Sequence, residues 1–273
     1  MFLAGGAVSD DGHSRPPPIR GLHSRGTMCR GLMTDGRRMD ENRIVVVLPA
    51  YNAQKTLGKT VRALPDDLGA ELLLVDDGSR DDTFGESRRL GITAVRHAEN
   101  RGYGANQKTC YRAALARSAD VVVMLHPDGQ YDGRAIRLLV LPIQLGICDI
   151  VLGNRIRSRR ESLRGGMPKG KYFLNRATTG LGNVVLGQNL GEFHSGFRAY
   201  STGALARIPF DGFSDDFAFD SQLLISAARL GLRIGDVPVP TIYSAECSQI
   251  GFRKGVRYLA GTMSALARNA IGR

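Results

Sequence analysis

Short apolar runs alternate with stretches of helical period along most of this chain. Ile44 to Leu48, Glu71 to Asp76, Thr93 to Arg96, Asp120 to Leu125 and Asp149 to Gly153 read as strands. The pieces between them read as helices: from about Ala53 to Leu64, from about Asp81, from the loop at 100–104 to about Arg117, and from Gly133 to Leu145. This alternation predicts an α/β fold built on a doubly wound, mostly parallel sheet. Pro49 lacks an N–H and is expected to end the first strand. Asp81 is expected to cap the helix that follows it.

After Gly153 the rhythm changes. A basic, Gly-rich loop at 155–171 precedes a helix from about Tyr172 to Leu186, a short aromatic segment (Phe193–Tyr200) and a helix from about Phe217 to Leu230. Extended pieces are expected at Arg233–Val237 and Val239–Tyr243. Residues 1–42 are rich in Gly, Arg, Pro and Ser without apolar periodicity, which predicts a disordered tail ahead of a body spanning 43–250. Near the other end Val256, Leu259, Met263, Leu266 and Ala270 form one apolar stripe, with Arg257, Arg268 and Arg273 off it. Residues 251–273 therefore read as a basic amphipathic helix, packed on its own core or lying on a membrane.

With 273 residues and 42% hydrophobic content, one large domain with ample core is expected. The four cysteines lie far apart with no CxxC pair, which argues against a zinc site or a disulfide framework. No apolar run is long enough to span a bilayer, and the first residues lack a signal-peptide core. The formal net charge is +11, but the tail is nearly neutral. The excess concentrates at 151–172, where Arg155, Arg157, Arg159, Arg160, Arg164, Lys169 and Lys171 face Glu161 alone. A local cluster of this kind fits substrate phosphates or an anionic membrane at least as well as nucleic acid.

The strand from Leu72 ends in Asp76-Asp77-Gly78-Ser79, and two adjacent carboxylates at a strand end need partners. The strand from Val121 ends in His126-Pro127-Asp128-Gly129-Gln130. Both strand ends would open on the carboxyl edge of the sheet, where ligands bind in such folds. Pro49-Ala50-Tyr51-Asn52 can add a ring face and an amide for a nucleobase. Asp128 offers oxygen to a hard divalent cation, and His126 a nitrogen that suits manganese better than magnesium. The loop Asn100-Arg101-Gly102-Tyr103-Gly104 resembles a phosphate cradle. It carries neither a dinucleotide fingerprint nor a P-loop ending, which excludes the corresponding dehydrogenase and ATPase readings.

In this order and spacing, these motifs resemble a family 2 inverting glycosyltransferase with the GT-A fold, over about residues 43–250. The segments Gly153-Asn154-Arg155, Phe193-His194-Ser195-Gly196-Phe197-Arg198-Ala199-Tyr200 and Asp215-Asp216-Phe217-Ala218-Phe219-Asp220 make it most similar to bacterial dolichyl- or polyprenyl-phosphate sugar synthases. The resemblance implies transfer of a hexose from a UDP- or GDP-linked donor to polyprenyl phosphate with a divalent cation, Mn2+ or Mg2+. It implies that Pro49, Tyr51, Asn52, Asp76, Asp77, Gly102, Gln130 and Arg155 hold the nucleotide sugar. Asp128, with His126, would bind the metal. Arg198, His194, Lys171 and Arg164 would meet acceptor phosphate, and Asp128, Asp216 and Asp220 are the catalytic candidates. The family's DxD motif reads His126-Pro127-Asp128 here, Ala53 replaces a common acidic residue, and Gln222 stands where another acid is frequent.

A hydroxyl acceptor, and a silent nucleotide- or nucleic-acid-binding module, are the alternative readings. With no crossing helix, the expected location is cytoplasmic, peripheral at the inner face of the cell membrane. Docking would come through the basic loop and the 251–273 helix, or through a membrane partner protein. No nucleic-acid partner is expected, and a homodimer is compatible with the sequence.

Overall fold

The computed structural model describes residues 42–241. The expected tail at 1–42, but for its last residue, and the expected helix at 251–273 lie outside the described residues. Seven strands form one sheet: β1 (Ile44–Ala50), β2 (Glu71–Asp76), β3 (Thr93–Arg96), β4 (Val121–Met124), β5 (Ile150–Asn154), β6 (Arg198–Ser201) and β7 (Ile234–Pro238). The helices are α1 (Gln54–Arg62), α2 (Thr83–Arg89), α3 (Tyr103–Leu115), α4 (Ile136–Gln144), α5 (Arg159–Arg164), α6 (Lys169–Leu186), α7 (Thr202–Arg207) and α8 (Ala218–Arg229).

The strand order is β3-β2-β1-β4-β6-β5-β7. All neighbouring pairs are parallel except β4–β6 and β5–β6. From β1 the chain builds outward through β2 and β3, then returns to lay β4 on the other side. The switch point between β1 and β4 is therefore where a ligand crevice opens. β1 alternates cleanly: Val45 and Val47 enter one core with Tyr111, Met124, Phe219 and Leu223. Ile44, Val46 and Leu48 enter the other with Leu57, Val123, Ile136 and Leu139. Both faces of the strand are buried, as its unbroken apolar run requires.

Three expectations are corrected. First, β1 runs through Pro49, which pairs with Val75, to Ala50, which pairs with Asp76. The ladder to β4 has already stopped at Val47 and Met124. Val47 turns its carbonyl toward β4, accepting from Leu125 N. By alternation Pro49 also faces that side, so its missing N–H costs no bond. Second, the aromatic segment ends in a strand, β6, inserted antiparallel between β4 and β5. Third, the basic loop contains α5, and α7 follows β6 directly. Ser158 accepts from Glu161 N, and Ser201 accepts from Ala204 N, so each short helix begins at a serine cap. Asp81, for its part, accepts from Thr83 N and Gln54 N, tying α1 to α2, while Asp82 holds the cap position.

Candidate active site

The ends of β1 and β2 are sewn together. Asn52 N donates to Ser79 Oγ at 2.8 Å, and Arg80 N donates back to Asn52 Oδ1 at 2.9 Å. Asn52 holds a left-handed φ of 54°, which asparagine tolerates better than most residues. Tyr51 projects its ring from this turn and is about half exposed. Gly78 has φ +68°, and a Cβ there would lie 2.6 Å from the Glu99 carbonyl carbon. Only glycine meets both demands.

Neither carboxylate of the pair is open to solvent. Asp76 is fully buried; Oδ1 accepts from Ser79 N, and Oδ2 lies 3.2 Å from Arg96 Nε without hydrogen-bond geometry. Asp77 Oδ1 accepts from Arg101 N at 2.9 Å and faces His97 Nδ1 at 2.7 Å, while Oδ2 accepts from Gly102 N at 3.0 Å. Asp77 thus pins the glycine-rich loop by its backbone. Pro49 and Gly102 shape the same rim from β1 and the start of α3.

From that loop α3 carries Tyr103 across the crevice. Its hydroxyl donates to Asp220 Oδ2 at 2.8 Å and lies 3.1 Å from His126 Nε2. The Tyr103 and His126 rings stack at 5.4 Å, and Phe217 stacks on Tyr103 at 4.7 Å. With the phenol proton given to Asp220, the phenol oxygen accepts from His126 Nε2–H, which leaves the lone pair on Nδ1. Burial, then the charge of Asp220, holds the Tyr103 phenol well above its usual pKa. Burial lowers that of His126, against the pull of Asp128 and Asp220. Gln107 Nε2 donates to Asp220 Oδ1 at 3.1 Å, completing the seat of that carboxylate.

Asp128 sits half-buried two residues on, its Oδ1 accepting from Gln130 N at 2.9 Å. Thr56 Oγ1 donates to Pro127 O at 2.5 Å, fixing this turn against α1. Among the described residues, no three His, Cys, Asp or Glu side chains converge into a closed metal site. Asp128 oxygen and His126 Nδ1 suit an open site that substrate oxygens and water complete. In this respect the residues fit a divalent cation.

β6 begins opposite the end of β4, with Arg198 paired to Met124. This register brings the segment 192–198 to the carboxyl edge of β4. There Gly196 passes so close that a Cβ would lie 2.7 Å from the His126 ring. Arg198, expected at a phosphate, is instead enclosed at 1% exposure. It donates to Ser195 O at 2.6 Å, Asp220 O at 3.1 Å and Phe193 O at 3.3 Å. As placed, it is an internal strut behind Asp220.

Arg155, also expected on the donor, forms a buried pair with Glu192 through Nε at 2.9 Å and through Nη2, and gives another bond to His194 O. Arg155 N and Asn175 Nδ2 complete the shell around Glu192. Burial alone would raise the Glu192 pKa, but the Arg155 pair brings it below the usual value. His194 meets Thr178 Oγ1 at 2.7 Å through Nε2, and burial depresses it to about 4, so it is neutral near pH 7. Lys171 lies in the first turn of α6; partial burial and Arg155 lower its pKa, while Glu192 and Asp128 pull the other way. Arg164 lines an open pocket of about 600 Å³ with Ser158, Arg160 and Thr241.

Asp216 lies in the turn before α8, where Asp216 N donates to Ser214 Oγ at 3.1 Å. Gln222, in place of an acid, accepts from Ser214 N at 2.7 Å. Lys108 pairs with Asp215 at 2.8 Å. Sequence reading missed Arg96, His97, Gln107 and Glu192. Each acts through a partner distant in the chain; Glu192 alone had a nearby signal, one residue before the aromatic segment.

Residues 45–208 match the family described as Glycosyl transferase family 2. An uncharacterized protein of Methanocaldococcus jannaschii is 30% identical over 76% of this chain and 84% of its own. The UDP-N-acetylglucosamine–dolichyl-phosphate N-acetylglucosaminyltransferase of Methanococcus voltae is 28% identical, over 76% of this chain and 88% of that protein. The undecaprenyl-phosphate mannosyltransferase of Micrococcus luteus is 27% identical, over 72% and 82% respectively. Among solved structures, glucosyl-3-phosphoglycerate synthase from Mycobacterium tuberculosis, in complex with Mn2+ and UDP-glucose, superposes with a TM-score of 0.63 at 23% identity. That superposition covers 84% of this chain and 79% of that one, and it bears on the fold. The strand order, the sewn carboxyl edge and the family match lead to one conclusion: this chain belongs to glycosyl transferase family 2 and is a glycosyltransferase with the GT-A fold.

Proposed function

We propose that this glycosyltransferase moves a hexose from a UDP- or GDP-linked donor to polyprenyl phosphate, with inversion at the anomeric carbon. One observation carries the reading: Arg155, with Asn175 and Thr178 of α6, holds Glu192 and His194, and that segment runs on to Gly196 against the His126 ring, so the basic α5–α6 segment borders the His126–Asp128 end of the crevice. A phosphate acceptor needs that positive surround, and a neutral hydroxyl does not. The M. voltae and M. luteus relatives, named for dolichyl phosphate and undecaprenyl phosphate, support the same acceptor class.

In this reading Tyr51 and Asn52 flank the nucleoside, and Asp77 shapes its pocket by holding the Arg101–Gly102 backbone. A divalent cation held by Asp128 and His126 would supply positive charge to the leaving diphosphate. The M. tuberculosis neighbour, solved with Mn2+, is in keeping with this. Lys171 and Arg164 receive the acceptor phosphate, with Arg155 held behind them by Glu192. An acceptor oxygen bonds to the anomeric carbon as the bond from that carbon to the diphosphate breaks, and the electron pair departs with the nucleoside diphosphate. The acceptor oxygen is already ionised, so no base is required; Asp216 or Asp220 would be needed as base only for a hydroxyl acceptor. Asp220 instead orients Tyr103 and, through it, His126.

No helix among the described residues is long and apolar enough to cross a membrane. A lipid acceptor then calls for peripheral attachment at the inner membrane face. The test is transfer from radiolabelled UDP- and GDP-sugars to polyprenyl phosphate in micelles with Mn2+, wild type beside Asp128→Ala. Label that enters the lipid and vanishes in the variant is the expected result. No lipid label with any donor overturns the acceptor assignment.

A further inference from the structure

Helix α6 is built inside out. Its buried positions are Asn175, Thr178, Thr179, Gly182 and Leu186. Its outward positions include Phe173 at 58% exposure, Leu174 at 46%, Leu181 at 39% and Val184 at 81%. At 100° per residue, these four and Ala177 fall on one continuous arc. Single exposed apolar residues mean little, but a contiguous stripe on a helix whose polar side faces the protein marks a docking surface.

Charge decides what docks. Lys169 and Arg176 border the stripe on the same helix, both exposed. α5, just ahead, adds exposed Arg159 and Arg160. A second exposed stripe, Leu138 and Leu141 on α4 with Leu145 at its C-cap, lacks this setting, because Arg134 and Arg137 beside it pair with Asp132 and Asp67. An apolar stripe rimmed by cations fits the headgroup layer of an anionic bilayer, not the like-charged surface of a second copy.

We infer that α6 is the membrane-docking element of this enzyme, lying in the interface of an anionic bilayer with Phe173, Leu174, Leu181 and Val184 inserted. The inference rests on the lipid-phosphate reading for its purpose: the helix that lies on the bilayer carries Lys171 in its first turn and holds Glu192 and His194 beside the crevice, so an acceptor phosphate at headgroup level meets the site without leaving the membrane.

The test uses the full chain, floated with vesicles of phosphatidylcholine with and without phosphatidylglycerol, and the double variant Phe173→Ser, Val184→Ser. Both positions are exposed, so thermal unfolding should be unchanged and serve as the folding control. The expected result is flotation only with the anionic vesicles, weakened by salt and reduced at least about tenfold in the variant. Micellar transfer should be unaffected. Flotation equal in variant and wild type overturns the inference, as does a wild type that stays off the vesicles. A wild-type dimer that the variant dissociates, without vesicle binding, overturns it in favour of a second copy. Lost flotation with no transfer by any protein to polyprenyl phosphate leaves the docking surface standing and removes the acceptor assignment instead.

Discussion

The Tyr103 hydroxyl donates to Asp220 across the crevice at 2.8 Å and, on its other side, meets His126. One phenol therefore fixes the position of a carboxylate on α8 and the tautomer of an imidazole after β4. Tyr103→Phe keeps the stacked ring and removes both bonds. It should lower kcat by about ten- to a hundredfold with little change in donor KM, and cost about 1–2 kcal/mol of stability. Steady-state kinetics beside urea unfolding measures both. Unchanged kcat would show that His126 orientation does not matter to the reaction.

Metal dependence should separate the two side chains proposed to hold the cation. Asp128→Ala should abolish transfer at any cation concentration, whereas His126→Ala should weaken Mn2+ activation by about tenfold and narrow its advantage over Mg2+. Chelator titration followed by metal add-back reads this directly. A His126→Ala protein with the wild-type response would leave Asp128 as the sole side-chain ligand.

Glu192 and Arg155 form a pair with almost no solvent access, their side chains 0% and 7% exposed. Removing one partner strands the other charge. Glu192→Ala should cost about 3–5 kcal/mol, and the double change Glu192→Leu with Arg155→Met should recover most of that loss while leaving the site without its guanidinium. A folded double variant with poor transfer would separate the structural role of the pair from the place proposed for Arg155 behind the acceptor phosphate.

Acid should loosen the same region in two steps. His194 is depressed from 6.5 to about 4, so the unfolded chain binds a proton that the folded one refuses. Stability is full above pH 6.5, falls as pH drops toward 4 and then levels, by roughly 2 kcal/mol after allowance for partial exposure. Glu192, whose folded pKa is lowered, contributes above its ordinary value of 4.5 and loses that contribution only as pH falls through the depressed one. Urea midpoints from pH 7 to 4 should therefore slope downward in wild type and flatten in His194→Gln.

Four of the first five strands, β1, β2, β4 and β5, were legible because each carries an apolar run, β3 was legible from its place in the alternation with helices, and the edge chemistry was legible because its motifs are local. What escaped depended on distance. β6 is a short piece, Arg198 to Ser201, whose strand character comes from neighbours on both sides rather than from its own pattern. Asp77 looked like a ligand contact because Arg101 N and Gly102 N, its actual partners, lie in a separate loop. Arg198 looked like a phosphate contact for the same reason: the carbonyls that enclose it come from three separate positions. The serines that cap α5 and α7 are local signals, but each helix is only six residues long, too short for an apolar period to declare it.

The antiparallel insertion of β6 also dictates an order of assembly. During synthesis β5 emerges before the strand that must sit between it and β4, so neither edge can close until residues 198–201 have been made. The amino-terminal half is thus not a self-sufficient folding unit. A chain cut after Asn154 would leave β4 with an open, wholly apolar edge, prone to intermolecular pairing. Nucleotide pocket and acceptor side must therefore fold together, although almost every residue proposed to hold the nucleoside precedes that cut.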